Sequence, residues 1–477
     1  MAGAAGRKGT ITHRTSVRAS RPARARVHSG EEETARLSRL AVDLSRHYAG
    51  KLEVVPQVPI RGLSDFSYLY TPGVAQVSRE IAKDPDLSFE LTGRWNTIGI
   101  VTDGSRVLGL GNIGPRAALP VMEGKALLFK YLGGVNAYPL PIQVNSGEEL
   151  VETVRHLEPA VGGINLEDIA SPKCFEVLET LQKSLTIPVW HDDQLGTAAA
   201  TVAGLLNALE LTGRTVKDAR MVILGAGAAN VATARLIRAL KADMGALTVL
   251  DHKGILHSNR EDMDEMMLHN RWKYDLALST NEAGRKGGLD VALEGADVLI
   301  AASTPDPNTV KPEWVESMAP HPVVFALANP VPEIWPQVAH KAGAAIVATG
   351  RSDFPNQLNN SLVFPPVFRG ILDARAKGMP DEVVLVAAKE LAKGASLRGL
   401  TPDHIVPTME EEAVFPKMAA AVAVKAEELG LARVKRTRAE YEEHAVQMMA
   451  RPRRLAEVLM KSGLIAPVKV DPRKERG

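Results

Sequence analysis

The sequence predicts an α/β protein with an N-terminal α/β domain, a second domain built on a doubly wound parallel sheet, and helices at its C-terminal end. From residue 220 the chain reads as a strand, a glycine-rich turn, a helix and another strand, which is the pattern of a parallel sheet. Before that, two short apolar runs alternate with helical patterns and each stops at adjacent carboxylates. The 477 residues exceed what one hydrophobic core usually holds, so we expect two or three domains.

The composition is that of a soluble globular protein, with 45% hydrophobic and 24% charged residues. One cysteine, Cys174, excludes an internal disulfide framework and a cysteine-based zinc site. It also indicates a reducing compartment, so we expect a cytoplasmic protein. The sequence has no run of 18 apolar residues, and we therefore expect no transmembrane span.

Positive charge is concentrated at the start of the chain. Residues 1–30 contain seven Lys or Arg and no acid, and removing them from a net charge of +1 leaves −6 for the remainder. A negative body argues against binding of nucleic acid. The basic segment has the composition of an organelle transit peptide but lacks an amphipathic stripe, so a disordered tail is expected and organelle import stays open.

The N-terminal domain is expected to begin with a helix over residues 31–49. A turn then follows at Tyr70-Thr71-Pro72-Gly73. Residues 98–110 form two apolar runs around an Asp-Gly turn, which predicts a β-hairpin. Helices are expected over 148–158 and 171–183, on either side of a short buried strand.

Two strands of this domain end in carboxylates, one at Glu167 and Asp168 and the next at Asp192 and Asp193. Ligands of α/β sheets bind beyond the carboxyl ends of the strands, so these side chains should converge. Carboxylates so placed repel one another unless a cation joins them, and all-oxygen ligation favours Mg²⁺ or Mn²⁺ over zinc. A lone acidic pair often only caps the following helix, whereas two pairs predict a divalent-metal site.

A helix of small residues over 196–211 should lead into the second domain, whose first turn has the features of a dinucleotide-binding loop. Its first glycine permits a tight turn, and its second allows a pyrophosphate to approach the backbone. An acid after the next strand accepts a hydrogen bond from a ribose hydroxyl of the cofactor. The expected cofactor-binding residues are Gly225, Gly227, Ala228, Ala229, Asn230 and Asp251. Asn230 replaces the usual third glycine and is expected to loosen helix–strand packing. Asp251 favours NAD, while His252 and Lys253 suit a 2′-phosphate and leave NADP open.

Further strands are expected at 296–301, 323–327 and 344–348, and helices at 381–394 and 409–429. Residues 431–477 are basic and interrupted by prolines, which predicts a helical surface extension with a loose end.

Short blocks of the sequence carry a family resemblance. They are Tyr70-Thr71-Pro72-Gly73-Val74, Val107-Leu108-Gly109-Leu110-Gly111-Asn112-Ile113-Gly114, Pro120-Val121-Met122-Glu123-Gly124-Lys125, Asn165-Leu166-Glu167-Asp168, His191-Asp192-Asp193-Gln194, Ala328-Asn329-Pro330, Gly350-Arg351-Ser352-Asp353-Phe354-Pro355-Asn356-Gln357, Asn359-Asn360 and Phe368-Arg369-Gly370. In this order they resemble the malic enzymes, most closely the shorter bacterial type, over roughly residues 50–430.

The resemblance implies oxidative decarboxylation of L-malate to pyruvate and CO₂ with NAD or NADP and with Mg²⁺ or Mn²⁺, and Asp251 makes NAD the preferred of the two. It also implies a homodimer or larger homo-oligomer. By the family's motifs, Lys125 is the general base near Asp192, Tyr70 is the acid that protonates the enol, Glu167, Asp168 and Asp193 hold the metal, and Asn329 and Asn360 contact substrate or nicotinamide. Pro366 stands where the family usually has glycine, and it is expected to disturb the placement of Asn360.

These roles make chemical sense for the residue types. A lysine acts as a base only when burial and a nearby cation depress its pKa, which Lys125 requires. Tyr70 offers a phenol suited to acid catalysis, although a core aromatic is an equal reading. Arg106 suits a bidentate pair with a malate carboxylate, although a solvated turn arginine fits nearly as well. Cys174 reads as a buried thiol rather than a nucleophile.

Two other functions stay open at this point. One is a malolactic or oxaloacetate-decarboxylating enzyme of the same family, which net release of NADH would separate from the first reading. The other is a catalytically silent nucleotide-sensing protein, against which the retention of Tyr70, Lys125 and all three metal ligands argues. The expected domains are a tail at 1–30, a substrate and metal domain at 31–200, a Rossmann-like domain at 201–370, returning helices at 371–430 and a basic extension at 431–477.

Overall fold

The computed structural model describes residues 23–467, with side chains from residue 35 onward. Two compact units divide the chain: the first contains helix α1, and the second spans Leu52–Pro467 and carries every site discussed below. Helix α1 begins at Ala23, eight residues before the expected start, so the predicted tail at 1–30 is partly helical. The rest of that tail, and the loose end expected at the C-terminus from residue 468, lie outside the described residues.

The helices and strands alternate along the chain as expected of an α/β protein. The helices are α1 (Ala23–Tyr48), α2 (Phe66–Leu69), α3 (Val74–Lys83), α4 (Ser88–Leu91), α5 (Gly114–Gly133), α6 (Gly147–Leu157), α7 (Lys173–Ser184), α8 (Asp192–Leu211), α9 (Ala228–Ala239), α10 (Met263–His269), α11 (Arg271–Ser279), α12 (Leu289–Leu293), α13 (Pro312–Glu316), α14 (Pro336–Lys341), α15 (Phe364–Asp373), α16 (Asp381–Ser396), α17 (Val414–Glu428) and α18 (Arg438–Lys461). The strands are β1 (Thr97–Thr102), β2 (Asn136–Pro141), β3 (Gly163–Leu166), β4 (Val189–His191), β5 (Met221–Leu224), β6 (Thr248–Asp251), β7 (Gly254–Ile255), β8 (Val298–Ala301), β9 (Val323–Ala326) and β10 (Ile346–Thr349).

The N-terminal sheet is parallel, with strand order β2-β1-β3-β4. Strand β1 is entirely buried and pairs on both sides, with Ile98 opposite Ala137 of β2 and opposite Gly163 of β3. The hairpin predicted over 98–110 is therefore wrong, because both edges of β1 are occupied by parallel partners. The second apolar run instead forms a loop, with one antiparallel bridge between Val107 and Gly111.

The second sheet has the order β10-β9-β8-β5-β6-β7 and is parallel except for β7, which pairs antiparallel with β6. Helices follow its strands in the doubly wound arrangement, which confirms the predicted fold class. The three later strands begin or end within two residues of the predicted ranges. The order of strands reverses beside β5, where α/β sheets of this kind bind nucleotides.

Helix α8 connects the two sheets and begins at Asp192, four residues before the expected start. Its small residues let neighbouring elements pack closely, so most of the helix is buried. At Gly204, for example, an added side chain would meet Leu358. Two aspartates in its first turn, Asp192 and Asp193, lie at the positive end of the helix, where carboxylates are favoured. The acidic pair therefore lies in the first turn of a helix, next to the carboxylates that follow β3.

Helices α16 and α17 confirm the two helices predicted near 381–394 and 409–429. The basic C-terminal extension contains α18, which starts with a capping box between Thr437 and Glu440. Among the described helices, none has the length and apolarity needed to cross a bilayer.

Candidate active site

An acidic cluster lies at the carboxyl ends of two neighbouring parallel strands. Glu167 and Asp168 follow β3, and Asp193 is in the first turn of the helix that follows β4. One carboxylate oxygen from each of these three residues lies within 4.8 Å of the other two. Asp168 has a φ of 53°, and in this conformation its backbone N–H donates to Asp193 Oδ2 at 2.8 Å. The structure thus brings the three predicted metal ligands together.

The cluster fits a hard divalent cation. Asp168 Oδ2 is buried and has no hydrogen-bond partner among the described residues. Burial and the neighbouring charge of Asp193 raise the pKa of Asp168 to about 7. Burial also raises the pKa of Glu167 well above its usual value. A cation would supply the missing partner and relieve the repulsion, and oxygen donors suit Mg²⁺ or Mn²⁺.

Lys125 reaches the cluster from helix α5 and is only 8% exposed. Its ammonium lies 2.6 Å from Glu167 Oε1, contacts Asp192 Oδ2, and stands over the ring of Phe364. Burial alone lowers the pKa of Lys125, but Asp192, Glu167 and Asp193 outweigh burial and raise it. The depression expected from burial and a nearby cation stays a prediction, because in the chain by itself the carboxylates hold the proton on the lysine.

The site includes residues that the sequence analysis missed. Trp190 donates from Nε1 to Asp192 Oδ1 at 2.9 Å, and Asn165 donates from Nδ2 to Glu167 Oε2 at 2.9 Å. Each donor precedes its acceptor by two residues. Alternate residues of a strand share a face, so this spacing was a usable signal. These donors fix the carboxylates that contact Lys125.

The loop after β1 packs against the cluster. The backbone N–H groups of Arg106 and Leu108 donate to the backbone oxygen and to Oδ1 of Asp168, at 3.0 and 3.4 Å. The buried Asp103 forms an ion pair with Lys173, which holds the loop near the start of α7. The guanidinium of Arg106 is exposed and has no ion pair among the described residues, so its role in substrate binding stays a prediction.

Tyr70 is not brought to this cluster within the described chain. It follows the short helix α2, is 67% exposed, and its phenol makes no hydrogen bond with any described residue. Its role as the proton donor stays a prediction. The buried thiol of Cys174, whose pKa burial raises to about 12, confirms the interpretation of a structural cysteine.

The predicted dinucleotide loop joins β5 to α9. Gly225 has a φ of 101°, and a side chain there would meet the backbone oxygen of Ala302 at 2.7 Å, so glycine is required. The loop continues through Gly227, Ala228 and Ala229 into the first turn of α9. Gly227 has open space around it, which leaves room for a ligand at the N-terminus of the helix.

Asn230 does not loosen the packing as expected. It is buried, and its amide donates to the backbone oxygens of Leu224 at 2.8 Å and Gly225 at 3.0 Å. The side chain thereby ties α9 to the end of β5 in place of the close contact that a third glycine allows.

Asp251 ends β6 as predicted, but cations surround it. Its carboxylate accepts hydrogen bonds from Arg260 at 2.8 Å and from Lys273 at 2.9 Å. These partners outweigh the effect of burial and lower the pKa of Asp251. Lys253 turns to Asp262 instead, at 2.9 Å. Arg260 and Lys273 were not predicted as partners of Asp251, because they lie 9 and 22 residues beyond it.

The two predicted asparagines occupy different parts of the cleft. Asn329 is exposed beyond β9, and a side chain at Gly109 would lie 3.1 Å from its backbone oxygen. Asn360 is beside the acidic cluster, since a side chain at Gly196 would lie 2.9 Å from its Cβ and overlap Asp192. Their roles in binding stay predictions.

Pro366 is accommodated without a break in its helix, and its effect on the placement of Asn360 stays a prediction. Pro366 is buried in the first turn of α15, where a backbone N–H has no helical partner, so proline is tolerated there.

Comparison with known proteins places this geometry in a family. The family model described as "Malic enzyme, NAD binding domain" matches residues 195–427, and that described as "Malic enzyme, N-terminal domain" matches residues 49–150.

Curated relatives match most of the chain. The bifunctional malic/malolactic enzyme of Bacillus subtilis is 44% identical over 395 residues, which are 83% of this chain and 94% of that enzyme. The NAD-dependent malic enzyme of Geobacillus stearothermophilus is 43% identical over 81% of this chain and 79% of its own length. The NADP-dependent malic enzyme of Halomonas elongata is 41% identical over 80% of this chain and 92% of its own. The crystal structure of Entamoeba histolytica malic enzyme superposes with a TM-score of 0.88 at 42% identity, covering 91% of each chain.

Proposed function

The chain belongs to the malic enzyme family, and on that premise we propose that it catalyses the oxidative decarboxylation of L-malate to pyruvate and CO₂ with NAD(P)⁺ as the hydride acceptor. The observation that carries the proposal is one cleft in which a buried lysine contacts a cluster of carboxylates able to hold a divalent cation. The nucleotide-sensing alternative loses its support, because Lys125 and the three carboxylates are assembled as an enzyme of this family would need.

We propose that Glu167, Asp168 and Asp193 hold Mg²⁺ or Mn²⁺. The cation, when bound, would neutralise the carboxylates that retain the lysine proton and act as a Lewis acid toward the substrate's oxygens. The support is the set of three converging oxygens, one of them without a partner, and the raised pKa values that their mutual repulsion and burial produce.

The chain's own residues would then handle the proton of the C2 hydroxyl. Once it has lost its own proton, the neutral amine of Lys125 is the proposed acceptor, since it lies in contact with the cluster. Asp192 stabilises and orients the ammonium, and it is itself fixed by Trp190. Burial of this trio excludes water, which strengthens each charge interaction. Asp192 therefore positions the base and balances its charge.

Replacing Lys125 tests this assignment directly. Lys125→Met should lower kcat for malate oxidation by about 1,000-fold or more, because the proton acceptor is gone, while the Kd for NAD stays near the wild-type value. Lys461→Met, which removes an exposed lysine of α18, is the matched control and should keep full activity. Undiminished oxidation in the Lys125 variant would remove this residue from the base role.

The reaction itself is tested by absorbance at 340 nm. With L-malate and Mn²⁺, NADH or NADPH should form together with an equal amount of pyruvate, and EDTA should stop both. One relative carries a malolactic activity in its name, so L-lactate is measured in the same samples. Malate loss to lactate without net NADH would support the malolactic alternative, and nucleotide binding without turnover would contradict both enzymatic readings.

For the cofactor we propose a preference for NAD over NADP. Asp251 lies at the end of β6, where an acid accepts a hydrogen bond from the ribose hydroxyl of NAD and repels the 2′-phosphate of NADP. The preference should be modest, because Arg260 and Lys273 offset the charge of this carboxylate. Asp251→Ala should raise the ratio of kcat/KM for NADP to that for NAD by about tenfold or more, since both cations become free to bind a phosphate. An unchanged ratio would contradict the role of Asp251.

We also propose a homodimer in which Tyr70 serves the partner's site. Apolar side chains between residues 52 and 77 are unusually exposed, with Leu63 88% exposed and Val54, Ile60, Tyr68 and Tyr70 between 49% and 77%. Such a surface is typical of a protein interface. Tyr70 lies within it, and its phenol makes no hydrogen bond with any described residue, so a second copy is the natural recipient of its phenol.

Mixing two inactive variants tests this arrangement. If Tyr70 acts on the partner, co-refolded Tyr70→Phe and Lys125→Met chains form hybrid dimers in which one site has both groups intact. Random mixing should restore about a quarter of wild-type activity. No recovery, with dimers present by light scattering, would mean that each chain uses its own Tyr70 or that the phenol is not required.

A further inference from the structure

A cavity of about 310 Å³ lies among helix α5, strand β2 and helix α18. Residues between 52 and 57 line one side of this cavity. The lining of the cavity includes no residue of the acidic cluster and none of the dinucleotide loop. Its volume is at the lower end of the range in which proteins bind small organic molecules.

Two positively charged side chains that form no ion pair among the described residues line this cavity. Lys130 of α5 is half-buried and donates to the amide oxygen of Asn136 at 2.7 Å. Arg451 of α18 lines the same space, and no ion pair joins either cation to a carboxylate in residues 35–467. Burial, followed by repulsion from Arg451, lowers the pKa of Lys130. Glu53 and Glu123 also line the cavity.

The remaining walls are largely apolar. They include Leu52, Val54, Tyr138, Met448 and Leu455, from three separate stretches of the chain. Two cations that form no ion pair among the described residues can bind an anionic group, and an aromatic ring with aliphatic side chains favours an apolar body attached to it. A bare inorganic anion would satisfy the cations and leave the walls without contacts.

We propose that this cavity binds an organic anion with an apolar body, and that binding regulates malate turnover through α5. This helix carries Lys125 into the active site and presents Ala126 and Lys130 to the cavity. The end of α5 is also fixed to α18, since a side chain at Gly134 would overlap the backbone oxygen of Met448. A ligand that joins the two helices therefore changes the packing of the element that carries the proposed base.

Phenyl phosphate is a suitable probe, because it combines an aromatic body with a dianion. Thermal unfolding of the full chain is followed with saturating NAD, which occupies the dinucleotide loop. Phenyl phosphate should raise the midpoint of unfolding by linkage, whereas inorganic phosphate and benzyl alcohol should raise it much less. The probe should also change KM for malate by about fivefold.

Variants assign the effect to the cavity. The double variant Lys130→Gln/Arg451→Gln and the cavity-filling variant Leu455→Trp should lose both responses. The control Arg454→Gln, which removes an exposed cation of α18 that is outside the lining, should keep them. If Leu455→Trp proves unstable without ligand, the charge variant alone decides.

The possible results separate the parts of the proposal. No shift in midpoint, or an equal shift in every variant, overturns the site. A shift that depends on Lys130 and Arg451 but leaves KM unchanged overturns the regulatory role while keeping the site. That regulatory role rests on the proposed function, whereas the thermal shift does not, so absence of malate oxidation would leave the binding test intact.

Discussion

Replacing Gly196 by alanine tests how closely the first turn of α8 is fitted to the acidic cluster. A methyl group at this position would overlap Asp192 Oδ1 and lie 2.9 Å from the Cβ of Asn360. Asp192 has little room to yield, because Oδ1 accepts from Trp190 and Oδ2 contacts the ammonium of Lys125. The added methyl group must therefore break at least one of these interactions or displace the helix.

The size of the effect follows from three contributions. Overpacking of a close-packed interior costs about 1–3 kcal/mol. Loss of one hydrogen bond to a charged group costs about 1.5–3 kcal/mol. Alanine in place of glycine within a helix returns about 1 kcal/mol. The free energy of unfolding should fall by roughly 2–5 kcal/mol, and a displacement near 1 Å at the proposed base should lower kcat about 100-fold.

Thermal unfolding and steady-state oxidation of malate measure the two effects in the same preparations. Gly124→Ala in α5 is the matched control, because a side chain there would meet no atom within 4 Å. That control should gain up to about 1 kcal/mol of stability and keep its activity. If Gly196→Ala behaves like the control in both assays, the close fit of Asp192 between Trp190 and Lys125 is refuted.

Three further predictions follow from single groups. The pKa of Asp168 in the folded protein is about 7, which is above its unfolded value, so protonated Asp168 stabilises the metal-free fold at low pH and this contribution is lost as the pH rises through 7. Mn²⁺ should therefore raise the midpoint of thermal unfolding more at pH 8 than at pH 6. An equal rise at both pH values would contradict the role of Asp168 as a ligand. Cys174 is buried, and burial raises its pKa to about 12. Its thiol should resist iodoacetamide at pH 8 in the native protein and react in urea, which mass spectrometry would show. Rapid labelling of the native protein would be inconsistent with its burial. Asn230→Gly restores the usual glycine but removes two buried hydrogen bonds to the β5–α9 turn. The free energy of unfolding should therefore fall by about 1–3 kcal/mol in thermal unfolding, and NAD should bind more weakly. A more stable variant would refute this account.

The fold was predictable where the chemistry of neighbouring residues is local. The strand, glycine turn and helix around Gly225, and the strands ending at Asp168 and Asp193, are set by patterns within a few residues. The hairpin over 98–110 failed because pairing of β1 is decided by β2 and β3, which lie 35 and more residues away. A propensity for extended structure does not reveal which strand becomes its partner.

The site was predictable in its members and less so in its electrostatics. Lys125 and the carboxylates were identified from motifs, but the direction of the lysine's pKa depends on distances that only the fold provides. The same holds for Asp251, whose charge is offset by Arg260 and Lys273 from a different part of the domain. Tyr70 marks the remaining limit, since its side chain is exposed and its predicted role is not tested by the contacts within the described residues.

The central claim is that malate oxidation proceeds at a divalent cation held by Glu167, Asp168 and Asp193. The most direct measurement is the rate of NADH formation from L-malate as a function of Mn²⁺ concentration, in the wild-type protein and in Asp168→Asn. We expect EDTA to abolish the wild-type rate, and the variant to need about tenfold or more Mn²⁺ for half-maximal activity, because one anionic ligand has become neutral. A rate that survives EDTA, or the same Mn²⁺ dependence in both proteins, would contradict the account.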